Sequence, residues 1–167
     1  MFALVAVAGL AADVLTKILV VERLEPASPV RLLGGVLTLR LIRNPGAAFS
    51  LGESFTFVFA VLSVAVLAFV VFRLAPALGH AGWAVALGLL CAGVSGNLTD
   101  RLFRAPGFLR GHVVDFLQLP HWPIFNVADS SICVAAVLIA VLAIRGIGLD
   151  GSREVRQPKG EREVEDA

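Results

Sequence analysis

Four long apolar runs alternate with polar connections along this chain. They extend over Phe2 to Val21, Phe55 to Phe72, Gly82 to Leu98 and Val127 to Ile144. Each run is close to the roughly 20 residues that an α-helix needs to cross about 30 Å of hydrocarbon. The apolar residues are gathered into blocks and do not follow the periods of two or 3.6 that mark half-buried strands and helices. The pattern therefore predicts four transmembrane helices.

The lengths of the connections set the topology. The short loop "RLAPALGHA" makes the second and third helices antiparallel neighbours. Two connections are long, Glu22 to Ser54 and Thr99 to Asn126. Four spans place both long connections on one side of the membrane, and the short loop and both termini on the other.

The first long connection contains a strand pattern. In "VLTLRLIRNPGAAFSLG", apolar residues alternate with Thr38, Arg40 and Arg43, which is a period of two. The pattern breaks at "NPG", residues 44–46, which is a turn signal. We expect a small hairpin or sheet at the membrane surface and not a separate domain.

Composition agrees with a membrane protein of one domain. The 167 residues are 57% hydrophobic and 16% charged, with a mean hydropathy of +0.86, whereas soluble domains average about 25% charged residues. The net charge of +1 gives no reason to expect nucleic acid as a partner. Cys91 and Cys133 lie inside apolar runs, where a free cysteine behaves as a small hydrophobe. Neither a disulfide framework nor a zinc site is indicated.

The two ends of the chain bear on where the domain stops. The first run lacks a basic start and carries two charged residues, so we interpret it as a retained helix and not as a cleaved signal peptide. We predict a membrane domain over residues 1–145, with long loops at 22–54 and 99–126. Residues 146–167 are charged and poor in apolar residues, and we predict that this tail is disordered. Arginines occur in the tail and in both long loops, so the positive-inside rule does not settle the orientation.

Charged residues inside an apolar run are costly in a membrane and are candidates for function. Asp13 and Lys17 in "DVLTK" are four residues apart, so they share a helix face and can form an ion pair. The pair either lowers the cost of inserting the helix or braces a nearby site.

The stretch "GVSGNLTDR" closes the third run. Gly93 and Gly96 are small enough for close helix packing. Asn97, Asp100 and Arg101 follow them. By residue type we interpret the stretch as packing glycines and a polar helix end, whose Asp100 and Arg101 meet lipid head groups.

Two further carboxylates lie in "HVVDFLQLPHWPIFNVADS". Asn126 can cap the fourth helix, and Asp129 completes a capping-box pattern that also suits the helix dipole. Asp115 has no such structural explanation. It lies between the apolar residues Val114 and Phe116, where a perturbed pKa is expected.

Asp115 and Asp129 could converge at the membrane surface and act as a pair. Two close carboxylates do not both ionise easily, which suits a general acid and a general base for the attack of water on a peptide. The serines of "DSS" have no recognisable histidine partner. His112, Asp115 and His121 as a metal site match no common zinc spacing. From residue types alone, an aspartyl hydrolase and a proton-coupled transporter remain competing hypotheses.

Together these stretches resemble the lipoprotein signal peptidases (signal peptidase II), the bacterial membrane aspartyl proteases. Five motifs occur in the family's order between Asp13 and Ile144, namely "DVLTK", "NPGAAFS", "GNLTDR", "VVDF" and "FNVAD". The resemblance implies an all-α membrane protein with four transmembrane helices, a small extracytoplasmic β-sheet and an interfacial helix.

The resemblance also implies roles for individual residues. Asp115 and Asp129 would be the catalytic pair, with a water between them that one activates while the other, protonated, polarises the scissile carbonyl. The supporting or substrate-binding residues would be Asn44, Asn97, Arg101, Asn126, Asp100, Asp13 and Lys17. No metal and no organic cofactor is implied.

A substrate and a location follow from the same resemblance. The substrate would be a prolipoprotein whose cysteine carries diacylglycerol, cleaved just before that cysteine. Membrane lipids and globomycin-type inhibitors would be further partners. The protein would cross the bacterial cytoplasmic (inner) membrane several times, with both termini in the cytoplasm and the active site near the outer face.

Two hypotheses of other classes stay in the comparison. A four-helix transporter would need a carboxylate deep in a span for proton coupling, and Asp13 alone lies there, close to a lysine that can pair with it. A non-enzymatic scaffold would tolerate replacement of its aspartates. Neither hypothesis accounts for Asp115 and Asp129 beside the asparagines.

Overall fold

Four long helices dominate the computed structural model of the protein. It describes residues 1–46 and 54–153, without the side chains of residues 54 and 55. The helices are α1 (Phe2–Arg23), α2 (Ser54–Phe69), α3 (Ala81–Phe103) and α4 (Val127–Ile144). After Phe69 the chain continues in helical turns to Ala77. All four are long and apolar enough to cross a membrane, which confirms the prediction of four spans.

Helix α3 packs against the other three helices and forms the centre of the bundle. Two of its glycines make this possible. A Cβ added to Gly93 would lie 2.6 Å from Ile132 Cγ1 of α4, and one added to Gly96 would lie 2.9 Å from Asp13 Cγ of α1. The interpretation of Gly93 and Gly96 as packing glycines is therefore confirmed, because any larger residue would push α1 or α4 away.

A three-stranded antiparallel sheet joins the two long connections. Strands β1 (Val30–Leu32) and β2 (Leu37–Asn44) come from the first connection, and β3 (Val113–Gln118) comes from the second. The order is β1-β2-β3, and β2 pairs with β3 from Thr38 opposite Gln118 to Asn44 opposite Val113. Because strands of both connections pair, both connections lie at the same end of the bundle. The predicted strand before the turn at residues 44–46 is confirmed.

An apolar cluster fixes this sheet to the helices. Val20 at the end of α1, Leu41 of β2, and Val114 and Phe116 of β3 are buried against one another. Successive side chains of a strand point to opposite faces. Since Val114 and Phe116 point into the cluster, Asp115 between them points to the other face of β3.

The third helix is longer than the sequence predicted. The apolar run ends at Leu98, but α3 continues to Phe103 and carries the polar residues of "GNLTDR" within the helix. The second long connection therefore begins at residue 104. The first connection contains, among its described residues, one short helical turn, Leu33–Gly35. Its residues 47–53, where the rest of a predicted interfacial helix would fall, lie outside the described part.

At the opposite end of the bundle, the chain after α4 folds back on the loop between α2 and α3. The carbonyl of Leu149 accepts hydrogen bonds from the backbone N–H groups of Gly79 and His80, at 2.9 and 3.0 Å. Trp83 Nε1 donates to the carbonyl of Ile147 at 2.8 Å. Residues 146–153, the start of the predicted tail, thus form an ordered turn, and residues 154–167 lie outside the described part.

Candidate active site

Asp115 and Asp129 line the same cavity at the sheet end of the bundle. The cavity has a volume of about 310 Å³, and Asn44, Asn97 and Arg101 line it as well. Asp115 comes from β3, and Asp129 comes from the first turn of α4. The structure therefore brings together two carboxylates that are 14 residues apart in the chain.

Neutral amides hold the carboxylate of Asp115. Asn44 Nδ2 donates to Asp115 Oδ2 at 2.8 Å, and Asn126 Nδ2 donates to Asp115 Oδ1 at 2.7 Å. The residue is 3% exposed. Both oxygens thus accept a hydrogen bond, but no cation of residues 1–46 or 54–153 lies in direct contact with either, and these residues compensate the charge only partly.

Asp129 is held in the same manner. Asn97 Nδ2 donates to Asp129 Oδ1 at 2.8 Å, and the backbone N–H of Asn126 donates to Asp129 Oδ2 at 3.1 Å. Asn126 Oδ1 in turn accepts the backbone N–H of Asp129 at 2.9 Å. This reciprocal pair is the capping box that the spacing of Asn126 and Asp129 predicted, and it starts α4.

The fully buried Asn126 links the two carboxylates. Its amide reaches Asp115, while its backbone and side-chain oxygen fix Asp129. The same amide lies 3.1 Å from Asn97 Oδ1 and 3.4 Å from the carbonyl of Val114. One side chain therefore sets the position of β3 relative to the start of α4.

Burial raises the pKa of the Asp115 carboxyl from its ordinary value of 3.8 to about 6. The negative charge of Asp129 also raises this pKa, whereas the amides of Asn44 and Asn126 and the charge of Lys17 lower it. Two close carboxylates in a site with little water favour a state in which only one is ionised. Asp115 is thus able to hold a proton close to neutral pH.

A second carboxylate cluster lies directly behind this pair and is neutralised by cations. Lys17 Nζ lies 2.8 Å from Asp13 Oδ2 and 2.8 Å from Asp100 Oδ2. Asp13 and Lys17 are both completely buried. Arg104 Nε forms a further ion pair with Asp100 Oδ1. The predicted ion pair between Asp13 and Lys17 is therefore confirmed, and Asp100 with Arg104 extends it.

The ion-paired cluster also anchors the elements that carry the candidate pair. Asp13 Oδ1 accepts the backbone N–H of Ala128 at 2.8 Å, and Asp100 Oδ2 accepts that of Val114 at 3.1 Å. Lys17 Nζ donates to Asn97 Oδ1 at 3.1 Å. The cluster thus holds the first turn of α4, strand β3 and the amide that contacts Asp129.

The interpretation of Asp100 as a residue that meets lipid head groups is wrong. Asp100 is 3% exposed, and its partners are Lys17 of α1, Arg104 and a backbone N–H of β3. Lys17 and the N–H of Val114 come from other elements and Arg104 lies four residues further along the chain, and together they help to compensate the cost of burying a carboxylate. Sequence reasoning missed Arg104 because a charged residue at a helix end is ordinary.

Arg101 lies between the cavity and the helices. Its Nη1 donates to the carbonyl of Asn97 at 3.2 Å, and its guanidinium carbon lies 5.6 Å from the centre of the Phe59 ring of α2. Arg101, Asn97 and Phe59 also line a smaller cavity of about 200 Å³ that continues between α2, α3 and α4. No sequence pattern pointed to Phe59, since it is one of several phenylalanines in an apolar run.

Two other hypotheses drawn from the sequence can be compared with the structure at this site. Of the motif "NPGAAFS", Asn44 reaches the cavity, while residues 47–50 lie outside the described part of the chain. His112, Asp115 and His121 do not assemble into a metal site. Within residues 1–46 and 54–153, no group of three or more His, Cys, Asp or Glu side chains could hold a metal ion.

The four spans, the sheet and the paired carboxylates define a multi-pass membrane protein with the site of an aspartyl hydrolase. The family model of signal peptidase (SPase) II matches residues 5–145. The chain therefore belongs to the signal peptidase II family, a family of aspartic peptidases.

Individual relatives agree with this assignment. The lipoprotein signal peptidase of Rhodococcus jostii (strain RHA1) is 50% identical over 145 residues, which cover 87% of this chain and 73% of that protein. The lipoprotein signal peptidase of Streptomyces griseus is 47% identical over 148 residues, 89% of this chain and 75% of that protein. A solved structure of a bacterial membrane enzyme has a TM-score of 0.76 and 28% identity, covering 94% of this chain and 93% of that one.

Proposed function

We propose that this protein removes signal peptides from prolipoproteins as an aspartic endopeptidase of the membrane, with Asp115 and Asp129 as its catalytic pair. The observation that carries the proposal is the amide-held pair of carboxylates at one cavity, joined through Asn126. Membership of the signal peptidase II family supports the reaction class. The cavity volume falls at the lower end of the roughly 300–1,000 Å³ of small-molecule sites, which suits a short peptide segment.

Asp129 acts as the general base and Asp115 as the general acid in this proposal. Ionised Asp129 takes a proton from a water molecule, whose oxygen attacks the scissile carbonyl carbon. Asp115, which holds a proton because of its raised pKa, donates it to the carbonyl oxygen. The tetrahedral intermediate then collapses: one of its hydroxyls returns a proton to Asp115 as the C=O bond re-forms, the C–N bond breaks, and the amine leaves with the proton from Asp129.

The remaining polar residues of the cavity orient the reacting groups. Asn44 and Asn97 keep one oxygen of each carboxylate turned toward an amide. Arg101 lines the cavity with its guanidinium and is suited to bind a carbonyl oxygen of the substrate. Asp13, Lys17 and Asp100 act behind them as support.

The substrate is a prolipoprotein whose cysteine carries diacylglycerol, cleaved just before that cysteine. The catalytic cavity and the adjoining smaller cavity share Phe59, Asn97 and Arg101, so a peptide end at the carboxylates has an apolar path between the helices for its lipid or its signal segment. Membrane lipids surround the same helices, and globomycin-type inhibitors would compete for the cavity.

We also propose the orientation of the protein in the bacterial inner membrane. The sheet and the cavity lie at the outer face, and both termini lie in the cytoplasm. The diacylglyceryl chains of the substrate lie in the bilayer, so a cavity at the membrane surface receives the scissile bond near the head groups.

The proton-coupled transporter is not supported by the environment of Asp13. A proton carrier must gain and lose its proton during the cycle, but the Asp13 carboxylate lies 2.8 Å from Lys17 Nζ. Asp13 is completely buried and also accepts the backbone N–H of Ala128, so its carboxylate is committed to holding the first turn of α4.

The proposal is tested with purified protein in lipid bilayers and a diacylglyceryl-modified prolipoprotein. Wild type should release the signal peptide from the lipidated substrate and not from an unlipidated one. Asp115→Asn and Asp129→Asn should each lower the rate at least about a thousandfold, since each removes an acid or a base from the reaction. Asp150→Asn, in the turn at the opposite end, is the matched control and should cleave at the wild-type rate. Wild-type activity in either site variant would refute the pair.

A further inference from the structure

Residues 123–125 run beside strand β3 at the wall of the cavity. The backbone N–H of Phe125 donates to the carbonyl of Leu117 at 2.9 Å, and the carbonyl of Phe125 accepts the N–H of Leu117 at 2.8 Å. The N–H and the carbonyl of Phe125 therefore both face β3, as in the hydrogen-bonded pair of an antiparallel ladder. This short segment adds one more edge to the sheet, beyond β3.

The next residue toward the N-terminus presents its backbone to the other side. In a ladder, a residue whose two groups pair inward alternates with residues whose groups point outward. Ile124 is such a neighbour of Phe125. Throughout residues 1–46 and 54–153, neither its N–H nor its carbonyl has a hydrogen-bond partner. Pro123 before it has no N–H to offer, so the open edge consists of one donor and one acceptor on Ile124.

Ile124 lines the catalytic cavity together with Asp115 and Asp129. Arg101 lines the same cavity. A backbone N–H and carbonyl that have no partner gain free energy when a ligand forms hydrogen bonds with them. The N–H and the carbonyl of Ile124 are complementary to a peptide backbone, which offers carbonyls and N–H groups in alternation.

We propose that the backbone of Ile124 positions the substrate. The prolipoprotein segment next to the scissile bond lies extended along this edge and forms two hydrogen bonds with the N–H and the carbonyl of Ile124. This inference rests on the proposed function. In binding through strand addition, main-chain hydrogen bonds supply the affinity.

The first experiment removes the donor without changing a side chain. In the full-length protein, the amide before residue 124 is replaced by an ester, using the α-hydroxy analogue of isoleucine introduced at that position. KM should rise about fivefold to tenfold, the worth of one hydrogen bond, while kcat stays within about twofold. The same ester at Leu119, which does not line the cavity, is the matched control and should leave KM unchanged.

The second experiment changes the substrate. A series of lipidated peptides carries a single N-methyl group at successive backbone positions before the cysteine. The peptide methylated at the residue that pairs with Ile124 should bind more weakly. Peptides methylated at either neighbouring residue, whose N–H groups point away, should bind as tightly as the unmethylated peptide. An even loss at every position would overturn the proposal, because it would indicate a steric effect of the methyl group.

Affinity measured apart from cleavage separates this inference from the proposed function. The Kd of a fluorescent lipidated peptide is determined with the Asp129→Asn variant, with an amide or an ester at residue 124. A higher Kd with the ester supports the strand pairing even if wild type does not cleave the peptide, in which case the proposed function alone fails. An unchanged Kd, or a lower melting temperature with the ester, overturns the role of Ile124, since the N–H would then be idle or used within the chain.

Discussion

Two buried carboxylate clusters lie side by side in this protein and differ in what holds them. Asp13 and Asp100 contact the cations of Lys17 and Arg104. Asp115 and Asp129 contact asparagine amides and a backbone N–H. An adjacent cation adds a compensating charge to a buried carboxylate, whereas a neutral amide orients the carboxylate by a hydrogen bond without adding charge.

The difference explains how acid–base chemistry and a rigid scaffold coexist at close range. Burying an ion costs several kcal/mol, which an ion pair with good geometry offsets. Asp13 and Asp100 form direct ion pairs with Lys17 and Arg104, and they hold the first turn of α4 and strand β3. Among the described residues, Asp115 has neutral amides in place of a direct ion pair, and burial raises its pKa to about 6. The ion-paired carboxylates thus support the structure, and the amide-held Asp115 is the one suited to exchange a proton.

The largest expected effect comes from removing the central cation. Lys17→Met leaves the carboxylates of Asp13 and Asp100 buried without that charge, and we expect a loss of about 3–5 kcal/mol of stability. Thermal unfolding in lipid nanodiscs measures this loss of stability. Arg73→Met, an exposed arginine at the other end of the bundle, is the control and should change the melting temperature little. An equal, small shift in both variants would show that the buried cluster is not held by Lys17.

For Asp115, a carboxylate of the proposed catalytic pair, we expect substitution to raise stability and not to lower it. Ionised Asp115 destabilises the folded protein as pH rises from its ordinary pKa of 3.8 toward about 6. At about 1.4 kcal/mol per pH unit, the cost reaches at most about 3 kcal/mol. Asp115→Asn should therefore be more stable than wild type above pH 6, with the gain gone near pH 4. The gain stays below that limit, because an asparagine offers one acceptor oxygen to two amide donors.

Melting temperatures between pH 4 and pH 8 measure this gain, and Asp100→Asn sharpens the comparison. That variant weakens two ion pairs and should be less stable than wild type at neutral pH. A stability loss in Asp115→Asn that is as large as the loss in Asp100→Asn would remove the distinction between the two clusters.

The pH dependence of cleavage tests the direction of proton transfer. If Asp115 is the general acid, kcat/KM decreases by up to tenfold for each pH unit above about 6, where it loses its proton. A pH profile of the initial rate with the lipidated substrate measures this decrease. An increase of kcat/KM through the same range would instead make Asp115 the general base.

The smallest expected effect comes from one amide. The hydrogen bond from Asn44 lowers the pKa of Asp115, so Asn44→Ala should raise that pKa by about one unit, the worth of one hydrogen bond to a charged group. The alkaline decrease of kcat/KM should then move to higher pH. A lower rate with an unmoved profile would assign Asn44 to substrate binding and not to control of the proton.

Local spacing was enough to predict the parts of the site that lie within one helix. Asp13 and Lys17 are four residues apart, and Asn126 and Asp129 have the spacing of a capping box, and both contacts form. Asp100 could not be interpreted this way, because its cation comes from α1 and its backbone donor from β3.

Other features of the site have no signature in the sequence. Only the structure shows that the Phe59 ring lies below the guanidinium of Arg101. Ile124 is an ordinary apolar residue in the sequence. Its proposed role depends on its backbone N–H and carbonyl, which no pattern of side chains can indicate. The four helices were predictable because a membrane demands apolar length, but the convergence of two loops on one sheet required the paired register of β2 and β3.

Asn126 couples the start of a helix to the geometry of the proposed catalytic pair. Its side chain and backbone close the first turn of α4, and its amide reaches the carboxylate on β3. The capping box that begins α4 therefore also fixes Asp129. A substitution at this one position would disturb the helix start and both carboxylates together.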